Sequence, residues 1–364
     1  MVDPAALALT LTAPATPLAA EEAAAVLREQ WGLAPRALSR LATERDDTFR
    51  VELDSGQRVV LKVAHPADSD STVDSQLAVL ADLAAHAPHL PVSRVVPTRD
   101  TLSAVSIPTV DGPRRARVVT WLEGEPWNAR PRGAEALRRF GAAQAAFASA
   151  VASAGRRLPP GLRPAPSPWN LLEIGAARAA CDRIADAQLR RAAAAMLDRA
   201  AAEVVPRLAR QPRVLAHNDA HGENVLVTPG TDDSTLSVTG FLDFGDLTHT
   251  PRVADLAVAA SYASAVADAG DLELAASPWA PAAALVTGAA QAWAAAGEPL
   301  SAVERDLIAP LVLVRLAQRA ALNSAVAEAS STRATYASRN LARLRAELAA
   351  LTAHLAPEQL GEAP

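Results

Sequence analysis

Cysteine is almost missing from this chain: Cys181 is the only one among 364 residues. No intramolecular disulfide and no cysteine-based zinc cluster can form, which fits a reducing compartment, so a cytoplasmic location is expected. A basic field is missing as well. The formal charge of −5 offers nothing to a phosphate backbone, and nucleic acid is not an expected partner. Clean membrane signals are also lacking. Residues 4–20 are uncharged but follow Asp3 and are interrupted by Pro14 and Pro17, unlike a secretory leader. Residues 274–297 are long enough to span a bilayer, yet they are mostly Ala with Ser, Thr, Gln and the prolines Pro278 and Pro281. A buried or interfacial helix is expected there, and no membrane partner.

Glycine pairs are absent in a telling way. No two glycines stand two positions apart, so neither use of G-x-G-x-x-G exists, and no Walker A or G-x-S-x-G string occurs. Lysine is nearly absent too. Of 35 basic residues one is lysine, Lys62, and 34 are arginines. Lys62 sits in the apolar run Arg58–Val63, where a compact ammonium on a flexible stem does what a planar guanidinium cannot. The alternative is an ordinary strand lysine with its head in water.

What is present is enough for two packed units, since the length exceeds the roughly 100–200 residues of one domain and 50% of residues are apolar. Thr16-Pro17 followed by Glu21 and Glu22 predicts a helix that stops at Gly32. Runs at about 37–42, 48–53 and 58–64 read as strands, with Asp54-Ser55-Gly56 as a hairpin turn. A helix over 72–86 places Val73, Leu77, Leu80 and Ala84 on one face. Ile107-Pro108 and Arg117–Trp121 suggest two more strands. This is an α+β unit. Past Glu123–Pro126 the composition turns to Ala/Leu/Arg helices at about 132–152, 178–209, 252–268, 280–296, 301–328 and 332–355, with one β region at 213–243. Leu341, Leu344, Leu348, Leu351 and Leu355 form a stripe, read as core packing, with a dimer seam as the other option.

The informative window is His217–Asn224, followed by Asp243-Phe244-Gly245-Asp246. Asp219 and Asn224 have the spacing H-x-D-x-x-x-x-N, with D-F-G after it. Two of the six asparagines lie within residues 218–224. Apolar runs 225–228 and 236–242 around the turn-rich 229–234 predict a hairpin. If it is symmetric about 233/234, Asn224 faces Asp243, and their oxygens suit Mg²⁺. Asp219 stays available to accept a proton. Taken singly, each string can be mere turn chemistry. A rival reading takes His217 and His221, spaced H-x-x-x-H near Glu223, as zinc ligands, although Gly222 makes this stretch a poor helix.

Together with Glu44–Val51, Val60–Val63, Ser167–Leu171 and Val253–Ala259, these strings resemble the aminoglycoside phosphotransferase and choline kinase superfamily over roughly residues 20–325, and look most like its hydroxylysine kinase branch. The resemblance implies a bilobal protein-kinase-like fold: a small antiparallel-sheet N-lobe, 1–122, that binds the nucleotide, and a mainly helical C-lobe, 123–364, with the catalytic loop and substrate site. It implies that Lys62 holds the phosphates of ATP or GTP, that Asp219 is the catalytic base and that Asn224 and Asp243 bind Mg²⁺. Loop 42–48, ending at Thr48, would cover the phosphates. Thr120–Gly124, with Trp121 and Glu123, would be the purine hinge. His217, through backbone hydrogen bonds, and Asp246 would buttress the site.

Two departures stand out. No Glu lies between Leu53 and Leu122 to pair with Lys62, which leaves Asp74 of the next helix as the nearest candidate. Asn218 occupies a position where the family favours glycine; asparagine is the best other choice for a left-handed turn. The acceptor is expected to be a small amino alcohol or hydroxy amino acid, hydroxylysine-like. Trp169, Asp268 and Asp271 are candidates for an ammonium and Arg315 for a carboxylate. Alternatives are an aminoglycoside or sugar O-phosphotransferase, and a catalytically silent nucleotide-binding protein. The chain is expected as monomer or homodimer.

Overall fold

The computed structural model describes Leu7 and residues 10–43, 45–228, 232–329 and 331–354. Two compact units result. One comprises Ala13–Glu123 with Arg157–Ala165; the other comprises the described residues of Met1–Thr12, Gly124–Arg156 and Pro166–Pro364.

The smaller unit begins with helix α1 (Ala20–Val26), which continues as a wider turn, Leu27–Trp31, and ends at Gly32 with φ 68°. Glycine adopts that left-handed geometry without penalty. The start lies later than Thr16-Pro17 suggests, because the Thr16 N–H and hydroxyl both donate to the Asp111 carboxylate. Strands β1 (Pro35–Leu41), β2 (Asp47–Leu53) and β3 (Arg58–Val63) form a meander. After helix α2 (Asp70–His86) come β4 (Val95–Val96), β5 (Val105–Thr109) and β6 (Gly112–Thr120). The order is β1-β2-β3-β6-β4, with β5 also on β6, and every pairing is antiparallel.

Alternation decides the faces of this sheet. Phe49, Val51, Leu53, Val59, Leu61, Val63, Ala116 and Val118 pack with Ala23, Leu27 and Trp31 in one apolar cluster. Lys62 therefore points to the opposite face, with Thr48 of β2 and Arg117 of β6 directly opposite it in register. Gln76 of α2 covers that face by accepting from Arg117. Along α2 the buried stripe ends on Leu83, and Ala84 is exposed.

The larger unit contains β7 (Glu125–Pro126), α3 (Ala134–Arg157), α4 (Gly175–Ala180), α5 (Ala187–Arg199), α6 (Val205–Leu208), β8 (Arg213–Ala216), β9 (Val225–Val227), β10 (Val238–Phe241), β11 (Thr248–Pro251), α7 (Arg252–Ala260), α8 (Leu272–Ala275), α9 (Ala280–Ala295), α10 (Ala302–Ala329) and α11 (Ser331–His354). A single helix over 178–209 does not form. The Asp186 side chain accepts from the Gln188 and Leu189 N–H groups, an N-cap that restarts the chain as α5. Likewise 252–268 stops as a helix at Ala260. Leu344, Leu348 and Leu351 are buried within the chain, so that stripe is core; Leu355 lies outside the described residues, as do Glu44 and the turn residues 229–231. Among the described residues no helix is long and apolar enough to cross a membrane.

Two glycines set the approach of α3 to α9. A Cβ at Gly141 would lie 1.9 Å from the Leu285 carbonyl oxygen, and one at Gly288 1.9 Å from that of Arg138. Backbone cannot yield there as a side chain could. Gly288→Ala should therefore destabilise by about 1–3 kcal/mol, despite a helix-propensity gain of about 1 kcal/mol, as read from denaturant midpoints. Buried Cys181 has its thiol pushed up to about 11 by desolvation. At pH 8 it should resist an aromatic disulfide reagent in the native protein and react on unfolding.

Candidate active site

Residues 217–224 link β8 to β9 without regular helix, and three anchors hold them. His217, fully buried, donates from Nε2 to the Leu242 carbonyl at 2.9 Å. Its ring meets Phe147 and Phe244 edge-on, with centroids 5.3 and 5.1 Å away. The Asn218 N–H donates to Asp255 Oδ1 at 2.6 Å, and Asn218 takes φ 65°, the left-handed turn its residue type tolerates. Asp255, at the start of α7, also accepts from Gln144 Nε2 at 3.0 Å. Burial pushes the Asp255 carboxyl above its usual range, opposed by His217 and the Asn218 N–H.

Asp219 is thereby presented half-buried, with a neighbour beside each carboxylate oxygen. Asn224 Nδ2 donates to Asp219 Oδ2 at 2.7 Å and to its backbone oxygen at 3.0 Å. Arg315 approaches Oδ1 at 3.4 Å, and His221 Nε2 lies 3.4 Å from Oδ2. Burial alone would raise the Asp219 carboxyl; His221 first, then Arg315, hold it below its usual range. Burial alone would lower His221, but Asp219, Tyr262 and Glu223 lift it to about 10. The two are thus an ion pair around neutral pH. The His221 ring also stacks on Tyr262, 4.8 Å between centroids.

Arg315, 1% exposed, is clamped by the Trp169 carbonyl and Gln318 Oε1, both 2.9 Å away, and lies 4.8 Å over the Trp169 ring. The carboxylate it serves is Asp219, which corrects the expectation that it would grip an acceptor. Trp169 is buried beneath it. Asp271 caps α8 and accepts from the Ala134 N–H, and Asp268 accepts from the Gly270 N–H; both are turn and cap groups. Asp246 accepts from the Ser167 hydroxyl at 2.8 Å. Burial, then the neighbouring Asp219 charge, push its carboxyl up to about 7.

One register expectation fails. Val238 pairs with Val227, two residues off the symmetric register, and an extra residue at Thr239 recovers only one of them, so Gly240 pairs with Leu226 and Phe241 with Val225. Asn224 consequently meets Leu242, whose N–H donates to the Asn224 carbonyl at 2.8 Å. Asp243 is one residue beyond, at φ 54°, with Oδ1 accepting from the Gly245 N–H. The helix required by the zinc reading is absent, and among the described residues no three His, Cys, Asp or Glu side chains gather as a metal cage.

In the smaller unit, Lys62 Nζ lies 3.8 Å from Asp46 Oδ2. Asp74 instead accepts from Arg115 at 2.6 Å and is 43% exposed, so the acid beside the lysine comes from the loop before β2. Thr48 is buried, whereas Glu123 is exposed and paired with Arg58. Trp121 has the Arg50 and Arg58 guanidiniums 5.2 and 5.8 Å from its ring centroid.

The residues that sequence reasoning passed over are His221 as the Asp219 counter-ion, Asp255 as the loop's anchor, and Asp46. Spacing gave a signal for His221, two positions after Asp219. Arg315, 96 positions away, had none.

The phosphotransferase enzyme family model matches residues 37–298. No curated protein matches in sequence. Among solved structures the chain is similar to an amicoumacin kinase in complex with AMP-PNP, Ca²⁺ and its antibiotic, with 14% identity, TM-score 0.67, and coverage of 91% of this chain and 93% of that one. It is similar to a microcompartment-associated aminopropanol kinase at 18% identity and TM-score 0.63, covering 94% and 99%. A spectinomycin phosphotransferase with ADP and spectinomycin follows at 13% and 0.56, covering 93% and 99%. At such identities these likenesses show the fold.

The left-handed turn at position 218 carries a direct consequence. Asn218→Ala should be less stable than Asn218→Gly by about 1–2 kcal/mol, the left-handed penalty of a Cβ, measured by thermal unfolding of the two variants side by side.

Proposed function

The chain belongs to the phosphotransferase enzyme family, and from that premise we propose that it transfers the γ-phosphoryl group of ATP or GTP to a hydroxyl of a small amino alcohol or hydroxy amino acid, hydroxylysine-like in class. The observation that carries this reading is Asp219: a carboxylate kept ionised at the tip of a loop, with Asn224 locked to it at 2.7 Å. Support for an amine-bearing acceptor comes from the sequence resemblance and from the similarity to the aminopropanol kinase.

Phosphoryl transfer has a loose transition state, so the protein's work is orientation and charge neutralisation. Asp219 accepts a hydrogen bond from the acceptor hydroxyl, aims its oxygen and takes its proton at Oδ. Because His221 and Arg315 hold that carboxylate ionised, it is ready to accept near neutral pH. His217 and Asp255 fix the loop, so the acceptor meets an oriented base. Asp246 buttresses the loop from the Ser167 side.

The donor set suits Mg²⁺. With its nitrogen committed to Asp219, the Asn224 amide turns its oxygen away from that carboxylate, and Asp243 contributes a second hard oxygen donor. One or two protein oxygens plus phosphates and water are what Mg²⁺ uses. When bound, the ion offsets charge on the phosphates. Lys62 draws the phosphates by its ammonium, with Thr48 and the 42–48 loop beside it and Thr120–Gly124, including Trp121 and Glu123, at the purine.

Asp219→Asn should keep ATP or GTP binding, followed by thermal shift with Mg²⁺, while turnover falls by about 10²–10⁴-fold. Wild-type turnover in that variant would remove Asp219 as the base. An acceptor screen by nucleotide consumption tests the substrate class: response only to sugars or aminoglycosides rejects amino alcohols.

A further inference from the structure

The strand row that places Thr48 and Arg117 opposite Lys62 creates an electrostatic problem. Two cations directly across an antiparallel pair repel each other, and lysine's four-carbon stem lets its head swing away. Asp46 lies against both. Its Oδ2 accepts from Arg117 at 2.8 Å and stands 3.8 Å from Lys62 Nζ. The first contact is a charge-assisted hydrogen bond of ordinary length; the second is an ion pair too long to be one. Arg117 is itself fixed, 3% exposed, with the same terminal nitrogen donating to Gln76 Oε1 of α2 at 2.8 Å. Gln76, at 6% exposure, is neutral, so the helix supplies a hold on the arginine rather than an acid for the lysine.

We propose that Asp46 and Arg117 are positioning residues for Lys62. Helix α2 holds Arg117 through Gln76, Arg117 holds Asp46, and Asp46 restrains the ammonium where a nucleotide's polyphosphate is to meet it. The device stands in for a glutamate, which the segment 54–121 lacks, and for the candidate Asp74, which Arg115 occupies. This inference rests on the reading of Lys62 as the phosphate-binding cation.

Calorimetric titration of the full chain with Mg-ATP, and separately Mg-GTP, tests it on Asp46→Asn, Asp46→Glu, Arg117→Met and Lys62→Ala. Asp46→Asn and Arg117→Met should each weaken nucleotide binding by about tenfold and raise the nucleotide KM, with the acceptor KM unchanged. Asp46→Glu should restore most of the loss. Asp46→Asn binding nucleotide as tightly as wild type, or tighter, while Lys62→Ala loses binding, overturns this inference alone. Unchanged binding in Lys62→Ala overturns the phosphate reading of the lysine and this inference with it. An acceptor KM that rises in step with the nucleotide KM marks general loss of structure and also overturns it. Because Arg117 is buried and its variant can fail to fold, the Asp46 pair decides the matter.

Discussion

A carboxylate that stays ionised although it is largely withdrawn from water is the constraint around which the larger unit is arranged. Removing Asp219 from water favours its neutral form. Two cations reverse that preference: His221 beside Oδ2 and Arg315 beside Oδ1. Each cation has its own support. His221 stacks on Tyr262, and Arg315 is held by Trp169 and Gln318. Tyr262 in turn carries the Arg319 guanidinium 3.7 Å from its ring centroid. Aromatic residues are few, and two of them, Tyr262 and Trp169, serve this one charge balance by stacking against its ring and guanidinium members.

The loop geometry follows from the same economy of polar groups. Asp255 gives one oxygen to the Asn218 N–H and the other to Gln144, so a buried carboxylate has its hydrogen bonds satisfied and a left-handed residue has a fixed amide. His217 ties the start of the loop to Leu242, just before Asp243. The 217–224 loop and the segment that leads into Asp243 are therefore joined by backbone as well as by side chains.

Charge balance of another kind orders the smaller unit. Its sheet buries one apolar face, while the other carries arginines and the single lysine. Carboxylates are distributed pairwise: Asp46 with Arg117 and Asp74 with Arg115 on that face, and Asp47 with Arg114 on the side of Phe49 and Val118. Buried guanidinium groups are tolerable because planar, multidentate donors find several acceptors each; Arg114 bonds the Ala64 and Val63 carbonyls as well as Asp47.

Much of this was legible in the residues. Runs of β character at about 48–53 and 58–64 pointed to the strands, Gly32 ended its helix, and the spacing from Asp219 to Asn224 picked out the loop, because each depends on neighbours a few positions away. The left-handed turn at Asn218 was readable for the same reason. Symmetry of the 225–242 hairpin misled by one residue, since the pairing of Val227 with Val238 and the extra residue at Thr239 are decided together by packing that no local pattern encodes. Helix 178–209 was overextended because Ala and Arg continue the composition past the cap at Asp186. What the sequence by itself determined was which residue types stand at which spacing along the loop and strands. Only the tertiary structure decided that Arg315 serves Asp219 and that Asp46, not Asp74, lies beside Lys62, because pairing across tens of positions depends on which chain segments fold into contact.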